Sequence, residues 1–132
     1  MDRDHAAPIR VLVADDQPIL REALVDLLRE SGFDVVGIAG DGQEALVMAR
    51  SLSPDVILID VRMPGVDGIE ATRRIRSQMP GIRVVVLSAY EDRSLQAGAA
   101  QAGADGYVVK GTSPKVLVDL LRSTVNEVQS PG

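Results

Sequence analysis

The sequence predicts an α/β fold: a five-stranded parallel sheet of order 2-1-3-4-5 with helices on both faces. Three observations support this prediction. Five short apolar runs, rich in β-branched residues, recur along the 132 residues. A segment of helical length follows each run, and strict alternation of strands and helices favours a parallel sheet. Right-handed crossovers leave 2-1-3-4-5 as the simplest doubly wound order for five such units.

The strands are predicted at residues 9–14, 35–39, 56–59, 82–87 and 107–109. The third reads Val-Ile-Leu-Ile, and four consecutive apolar residues are typical of a strand buried on both faces. The core must be aliphatic, since the chain has no Trp, one Phe and two Tyr.

Helix signals lie between the strands. Pro18 suits the first turn of a helix, because that turn needs no backbone donor. Asp41 and Asp67 are each followed three residues later by a glutamate, the pattern of a capping box. The helix predicted at 91–102 has mostly alanine on its apolar face and Gly98 in its middle, so we expect it to be the least well packed.

Composition narrows the possible functions. Hydrophobic residues make up 45% and charged residues 25% of the chain, as in an ordinary globular domain. The net charge of −5 argues against direct binding of nucleic acid or anionic membranes by this segment. The absence of Cys excludes disulfides and thiolate chemistry.

The predicted organisation is one domain at 9–128, preceded by a disordered leader at 1–8 and followed by the start of a linker or tail at 129–132. No apolar run approaches the roughly 20 residues of a membrane span. Residues 1–8 carry no secretory signal pattern. These features predict a cytoplasmic protein.

Polar side chains follow four of the five predicted strands. Asp15 and Asp16 end the first strand, Asp60 the third, Ser88 the fourth and Lys110 the fifth. Strands one and three are neighbours in the predicted order, so their carboxyl ends meet at the switch point where such sheets bind ligands. Each residue alone is commonplace, but their joint placement predicts a functional site.

The chemistry of this cluster indicates phosphoryl transfer. Three clustered carboxylates repel one another and stay ionised only beside a cation. All-oxygen ligands select Mg²⁺ or Mn²⁺. One exposed carboxylate, Asp60, would act as the nucleophile. The metal and the Lys110 ammonium would offset charge on the transferred oxygens, and Ser88 would donate to one of them.

The chain resembles the receiver domain of bacterial two-component response regulators, and within that family the NarL/FixJ (LuxR-type) branch. The resemblance rests on VLVADDQP (11–18), VILIDVRMPGVDGIEATRRIR (56–76), VVVLSAY (84–90) and AGADGYVVK (102–110). It implies a flavodoxin-like (βα)5 receiver fold. It also implies a protein that is no enzyme in the ordinary sense and assists only its own phosphorylation and dephosphorylation.

The resemblance implies a phosphoacceptor and a metal site. Asp60 would receive the phosphoryl group from a sensor histidine kinase. Asp16, Asp60 and the backbone carbonyl of Arg62 would bind Mg²⁺, and Asp15 would act mostly through water.

The resemblance also implies a switch. Ser88 would be the switch hydroxyl and Lys110 the phosphate-binding cation. Rotation of Tyr107 would report phosphorylation to the face formed by helix four, strand five and helix five. Homodimerisation on phosphorylation is possible in such proteins.

The sequence is compatible with two ways in which a receiver could act on its target, and with a third, enzymatic function that it favours less. The leading interpretation is a switch for a C-terminal helix-turn-helix DNA-binding domain that lies beyond this chain. The alternative is a stand-alone receiver that acts through protein contacts and touches no DNA. A Mg²⁺-dependent hydrolase with an aspartyl-phosphate intermediate would need an acid or base two positions after the nucleophile, where this chain has Arg62.

The chain departs from the family pattern in three places. Gly111 follows the lysine where many receivers have Pro. Gln17 stands where the NarL-like branch often has His. Ala97, Gly98 and Ala100 replace larger apolar residues in helix four. We therefore expect helix four to be unusually mobile or to be covered by a partner.

Overall fold

The computed structural model of the chain describes residues 7–129, with side chains through residue 126. It contains one parallel sheet of order β2-β1-β3-β4-β5, which confirms the predicted fold class. The strands are β1 (Arg10–Ala14), β2 (Asp34–Ala39), β3 (Val56–Asp60), β4 (Arg83–Ser88) and β5 (Gly106–Val109). Each strand lies within one residue of its predicted bounds at either end.

A helix follows each strand: α1 (Pro18–Glu30), α2 (Gly42–Leu52), α3 (Gly68–Gln78), α4 (Arg93–Ala102) and α5 (Pro114–Gln129). The two predicted caps are confirmed. The side chains of Asp41 and Asp67 each accept a 2.8 Å hydrogen bond from the backbone of the glutamate three residues on. Helix α4 begins later than predicted, because the side chain of Asp92 accepts from the first-turn N–H groups and caps it.

The last helix runs further than the sequence indicated. It ends at Gln129, which we had assigned to the start of a linker. No Gly or Pro occurs between Pro114 and Pro131, so nothing in that stretch stops the helix. The other predicted linker residues, 130–132, and residues 1–6 of the predicted leader lie outside the described residues.

Two apolar layers enclose the sheet. One face packs against α1 and α5, with Val13, Leu58 and Leu121 at its centre. The other packs against α2, α3 and α4, with Ile57 and Ile75 among its buried residues. Alternate residues of β3 belong to opposite layers, so this strand is buried along its whole length. Its last residue, Asp60, lies at the edge of the apolar core.

Helix α4 makes the thinnest contact with this core. Its buried residues are Ala99 and Ala102, whereas α1, α2 and α3 each bury three or four residues. The predicted weak packing is confirmed, while the mobility of α4 stays a prediction. Among the described residues, none of the helices combines the length and the apolar character needed to cross a bilayer.

Candidate functional site

Two buried carboxylates lie at the carboxyl ends of adjacent strands. Strand β3 pairs with β1 through Ala14 and Ile59, so the residues that follow them, Asp15 and Asp60, reach the same edge of the sheet. Asp15 is 1% exposed and Asp60 3% exposed. Our expectation of an exposed Asp60 was wrong, because β3 is covered on both faces and Lys110 lies against the carboxylate.

Asp16 completes an acidic cluster. Unlike its two partners it is exposed, and one carboxylate oxygen from each of Asp15, Asp16 and Asp60 lies within 4.8 Å of the others. Oδ2 of Asp15 is buried and accepts no hydrogen bond. A buried anionic oxygen without a donor is costly, so a hard cation bound by these oxygens fits the arrangement.

Lys110 brings a positive charge to the same place. Its ammonium nitrogen lies 3.0 Å from Oδ2 of Asp60 and 3.5 Å from Oδ2 of Asp15. The backbone of Lys110 is fixed by β4, since its N–H donates to the carbonyl of Ser88 at 2.6 Å. The side chain of Lys110, at the end of β5, therefore reaches across β4 to the carboxylate of Asp60 at the end of β3.

Burial has the largest effect on the pKa of Asp60. Removal from water raises the pKa of Asp60 above its ordinary value of 3.8. The hydrogen bond and charge of Lys110 lower this pKa, while the neighbouring charge of Asp15 raises it further. The net result is a raised pKa, which means that the ion pair with Lys110 does not fully offset desolvation.

Ser88 lies beside this group on β4. Asp60 pairs with Leu87 across the β3–β4 ladder, so Ser88 is one residue further toward the same edge. It is 2% exposed, and its hydroxyl oxygen accepts a 3.2 Å hydrogen bond from the backbone N–H of Tyr90. The hydroxyl proton is free to donate to another acceptor.

Contacts made by Arg62, Tyr90 and Tyr107 connect the loops around the site. The backbone N–H of Arg62 donates to Oδ1 of Asp60 at 3.3 Å, and the Arg62 guanidinium lies 5.8 Å from the centre of the Tyr90 ring. The hydroxyl of Tyr107 donates to the carbonyl of Tyr90 at 2.9 Å. A groove of about 440 Å³ opens beside Asp16 and Arg62, between these loops.

The structure thus brings together the carboxylates, the lysine and the flanking serine that the sequence singled out. Tyr107 stands apart from them. It packs partly buried against the layer that contains α4 and contacts the β4–α4 loop through its hydroxyl.

Sequence reasoning missed Gly68. A Cβ atom there would lie 2.1 Å from the carbonyl oxygen of Asp60, so any side chain would collide with the backbone of the site. The N–H of Gly68 donates to the carbonyl of Val61 at 2.8 Å, which fixes the start of α3 against the end of β3. The Asp-Gly pair ahead of a helical pattern was the available signal, but we had interpreted it only as a cap.

Gln17 was also missed as a site residue. Its side-chain oxygen Oε1 accepts from the Lys110 ammonium at 3.4 Å, and its backbone N–H donates to Oδ1 of Asp15 at 2.8 Å. The sequence marked position 17 as a departure from a family pattern and assigned it no contact.

Comparison with known proteins decides the family. The model of the response regulator receiver domain matches residues 11–122. The chain belongs to this family. The receiver domain is 42% identical over 125 residues to the transcriptional regulatory protein PdtaR from Mycobacterium tuberculosis. That alignment covers 95% of this chain and 60% of PdtaR, so the chain spans less than two thirds of its relative.

Solved structures agree with this assignment. The signal receiver domain of NarL from Mycobacterium tuberculosis superimposes with a TM-score of 0.88 at 34% identity, covering 92% of this chain and 98% of that one. A complex of CheX and CheY with BeF3 and Mg²⁺ from Borrelia burgdorferi gives a TM-score of 0.86 at 26% identity, covering 93% of both chains. These similarities confirm the resemblance to two-component receivers and agree with the NarL/FixJ branch.

Proposed function

We propose that this receiver domain is phosphorylated on Asp60. The observation that carries the proposal is the contact between the Lys110 ammonium and Oδ2 of Asp60, next to two further carboxylates at the end of the sheet. In the reaction a carboxylate oxygen of Asp60 forms a bond to phosphorus. The bond from phosphorus to the donor nitrogen breaks, and its electron pair leaves with the histidine of a sensor kinase.

Mg²⁺, or Mn²⁺ in its place, is the proposed cofactor. Asp15, Asp16 and Asp60 supply the carboxylate oxygens, and the backbone carbonyl of Arg62 supplies a further one. When bound, the ion offsets the charge of the carboxylates and of the transferred phosphoryl oxygens. The presence of Mg²⁺ in the similar CheY complex supports this choice.

Ser88 and Lys110 hold the phosphorylated state in the proposed switch. The ammonium pairs with a phosphoryl oxygen in place of Oδ2, and the hydroxyl donates to another. Tyr107 moves with Ser88 in this switch, because its hydroxyl donates to the carbonyl of Tyr90 in the loop that begins after Ser88. Lys110→Ala is expected to keep Mg²⁺ binding and to lose the coupling between phosphorylation and this conformational change.

We propose that the output lies outside the receiver domain, which extends to the end of α5 at Gln129. We propose a cytoplasmic regulator in which a C-terminal helix-turn-helix domain binds DNA, with homodimerisation on phosphorylation. The name of the PdtaR relative, a transcriptional regulatory protein, supports a role in transcription. A stand-alone receiver acting through protein contacts is the alternative, and the coding sequence after Gly132 distinguishes the two.

Treatment with phosphoramidate and Mg²⁺ tests the phosphoacceptor. We expect intact-mass measurement to show one added phosphoryl group that hydroxylamine removes, as it removes acyl phosphates. Asp60→Asn should abolish the adduct. The matched control is Asp119→Asn, which changes an exposed carboxylate paired with Lys115 on α5 and should leave the adduct unchanged. An adduct that persists in Asp60→Asn would refute the proposal.

A further inference from the structure

Three side-chain oxygens lie within 3.5 Å of the Lys110 ammonium nitrogen, and the oxygen of Gln17 is neither a proposed metal ligand nor part of the phosphoacceptor. The nitrogen lies 3.0 Å from Asp60, 3.5 Å from Asp15 and 3.4 Å from Oε1 of Gln17. Asp15 and Asp60 are buried, whereas Gln17 is exposed. The glutamine is therefore the solvent-exposed member of the three residues around the ammonium.

The backbone of Gln17 is itself fixed. Its N–H donates to Asp15 at 2.8 Å, and its carbonyl accepts from the N–H of Arg21 at 2.9 Å in the first turn of α1. Pro18 follows at the first helical position. The backbone of Gln17 is thus already ordered next to the acidic cluster, so the contact with Lys110 requires only the side chain to be ordered.

The loop after Lys110 is a tight turn, in which the N–H of Thr112 donates to the carbonyl of Val109 at 3.1 Å. Gly111 has a φ of +94°, and no atom lies within 4 Å of the Cβ position. Proline cannot adopt this conformation, because its ring holds φ near −65°. Position 111 thus supplies no side chain that could hold the Lys110 ammonium in place.

We propose that Gln17 is a positioning residue that orients the Lys110 ammonium over Asp60. This inference rests on the proposed phosphorylation of Asp60 and deepens it. Loss of the Oε1 acceptor lets the ammonium swing toward Asp15 or into solvent. The charge that develops on the transferred phosphoryl group is then offset less well.

The test is the phosphorylation rate of the full chain with phosphoramidate at saturating Mg²⁺. Gln17→Met keeps the length of the side chain and removes the acceptor, and should slow the reaction about three- to tenfold, as expected for one lost hydrogen bond. Gln17→Glu retains Oε1 and should restore a rate near that of the wild type. Ile19→Ala, at an 85% exposed neighbouring position, is the control and should leave the rate unchanged.

A double-mutant cycle separates positioning from a general structural effect. If Gln17 acts through Lys110, then Gln17→Met should cause no further loss in a Lys110→Met background. A wild-type rate in Gln17→Met, or losses that multiply in the double variant, would overturn the inference. Absence of any adduct in the wild type would instead overturn the proposed function, so the two failures are distinct.

Discussion

The ammonium nitrogen of Lys110 lies 3.0 Å from Oδ2 of Asp60, although the two residues are 50 positions apart in the chain. This contact joins the ends of β5 and β3 across β4. It places a cation against a carboxylate whose pKa is raised by burial, and the cation offsets part of that rise. The stability of the metal-free domain and its phosphorylation chemistry should therefore depend on the same pair.

Removal of the ammonium should destabilise the metal-free protein. Lys110→Met leaves Asp15 and Asp60 buried together without a compensating charge, which we expect to lower the free energy of unfolding by about 1–3 kcal/mol. Added Mg²⁺ should stabilise this variant more than the wild type, because the ion supplies the missing positive charge. Urea denaturation with and without Mg²⁺ measures both effects.

Lys115→Met is the matched control for this loss. Lys115 pairs with Asp119 at the surface, where its side chain is 83% exposed, and such a pair is worth about 0–1 kcal/mol. Equal destabilisation by the two lysine variants would contradict the role assigned to the buried pair.

Asp60→Asn should stabilise the metal-free protein at neutral pH. Since the folded pKa of Asp60 is raised, the native state binds its proton more tightly than the unfolded chain does. Stability from this group is therefore lost as the pH rises from the unfolded pKa through the folded one. The amide carries no charge and avoids that loss.

Thermal denaturation across pH in a chelating buffer measures this effect. The melting temperature of Asp60→Asn should exceed that of the wild type by a few degrees at pH 7, and the gap should narrow as the buffer is acidified toward the unfolded pKa of 3.8. A gap that widens on acidification would have the wrong sign for a raised pKa.

Gly68 should tolerate no side chain. A Cβ atom would lie 2.1 Å from the Asp60 carbonyl oxygen, so Gly68→Ala must displace α3 or the end of β3, at a cost of about 1–3 kcal/mol. Gly81→Ala is the control, because nothing lies within 4 Å of its Cβ position. Chemical denaturation measures the free energy of unfolding of the two variants. Similar values would show that the approach of residue 68 to the Asp60 carbonyl does not limit the side chain there.

Gly98→Ala should stabilise α4. The added methyl would have one neighbour, Cδ1 of Ile69 at 3.6 Å, which is ordinary contact, and a mid-helix alanine is favoured by about 0.5–1 kcal/mol. Hydrogen exchange should show fast amide exchange across residues 93–102 in the wild type and slower exchange in the variant. Slow exchange throughout this helix in the wild type would contradict the predicted mobility.

Arg62 and Tyr90 should prolong the phosphorylated state. The Arg62 guanidinium lies 5.8 Å from the centre of the Tyr90 ring, in the loops that follow Asp60 and Ser88, and we expect these side chains to hinder the approach of water to the phosphoryl group. An Arg62→Ala, Tyr90→Ala double variant should therefore lose the adduct faster after removal of the donor, as followed by intact mass over time. Loss of the wild-type adduct within seconds would count against this shielding.

The fold and the main site residues could be predicted because they depend on local patterns. The apolar run of β3 and the cap at Asp67 identify a strand and the following helix, and parallel order then brings strand ends together. Strand order alone was enough to place Asp15, Asp60 and Lys110 at one edge.

Contacts between distant segments could not be predicted in the same way. The burial of Asp60 depends on how Lys110 folds over it, and the clash at Gly68 depends on the distance between α3 and β3. The reach of Gln17 depends on the path of two loops. None of these relationships leaves a periodic signal in the sequence.

Reductive labelling of the phosphorylated protein tests the central claim most directly. Borohydride converts an aspartyl phosphate to homoserine, which peptide mass spectrometry locates along the chain. After treatment with phosphoramidate and Mg²⁺, homoserine is predicted at position 60 and at no other carboxylate. Homoserine at Asp15 or Asp16, or at no position in a protein that carries the adduct, would contradict the assignment of Asp60 as phosphoacceptor.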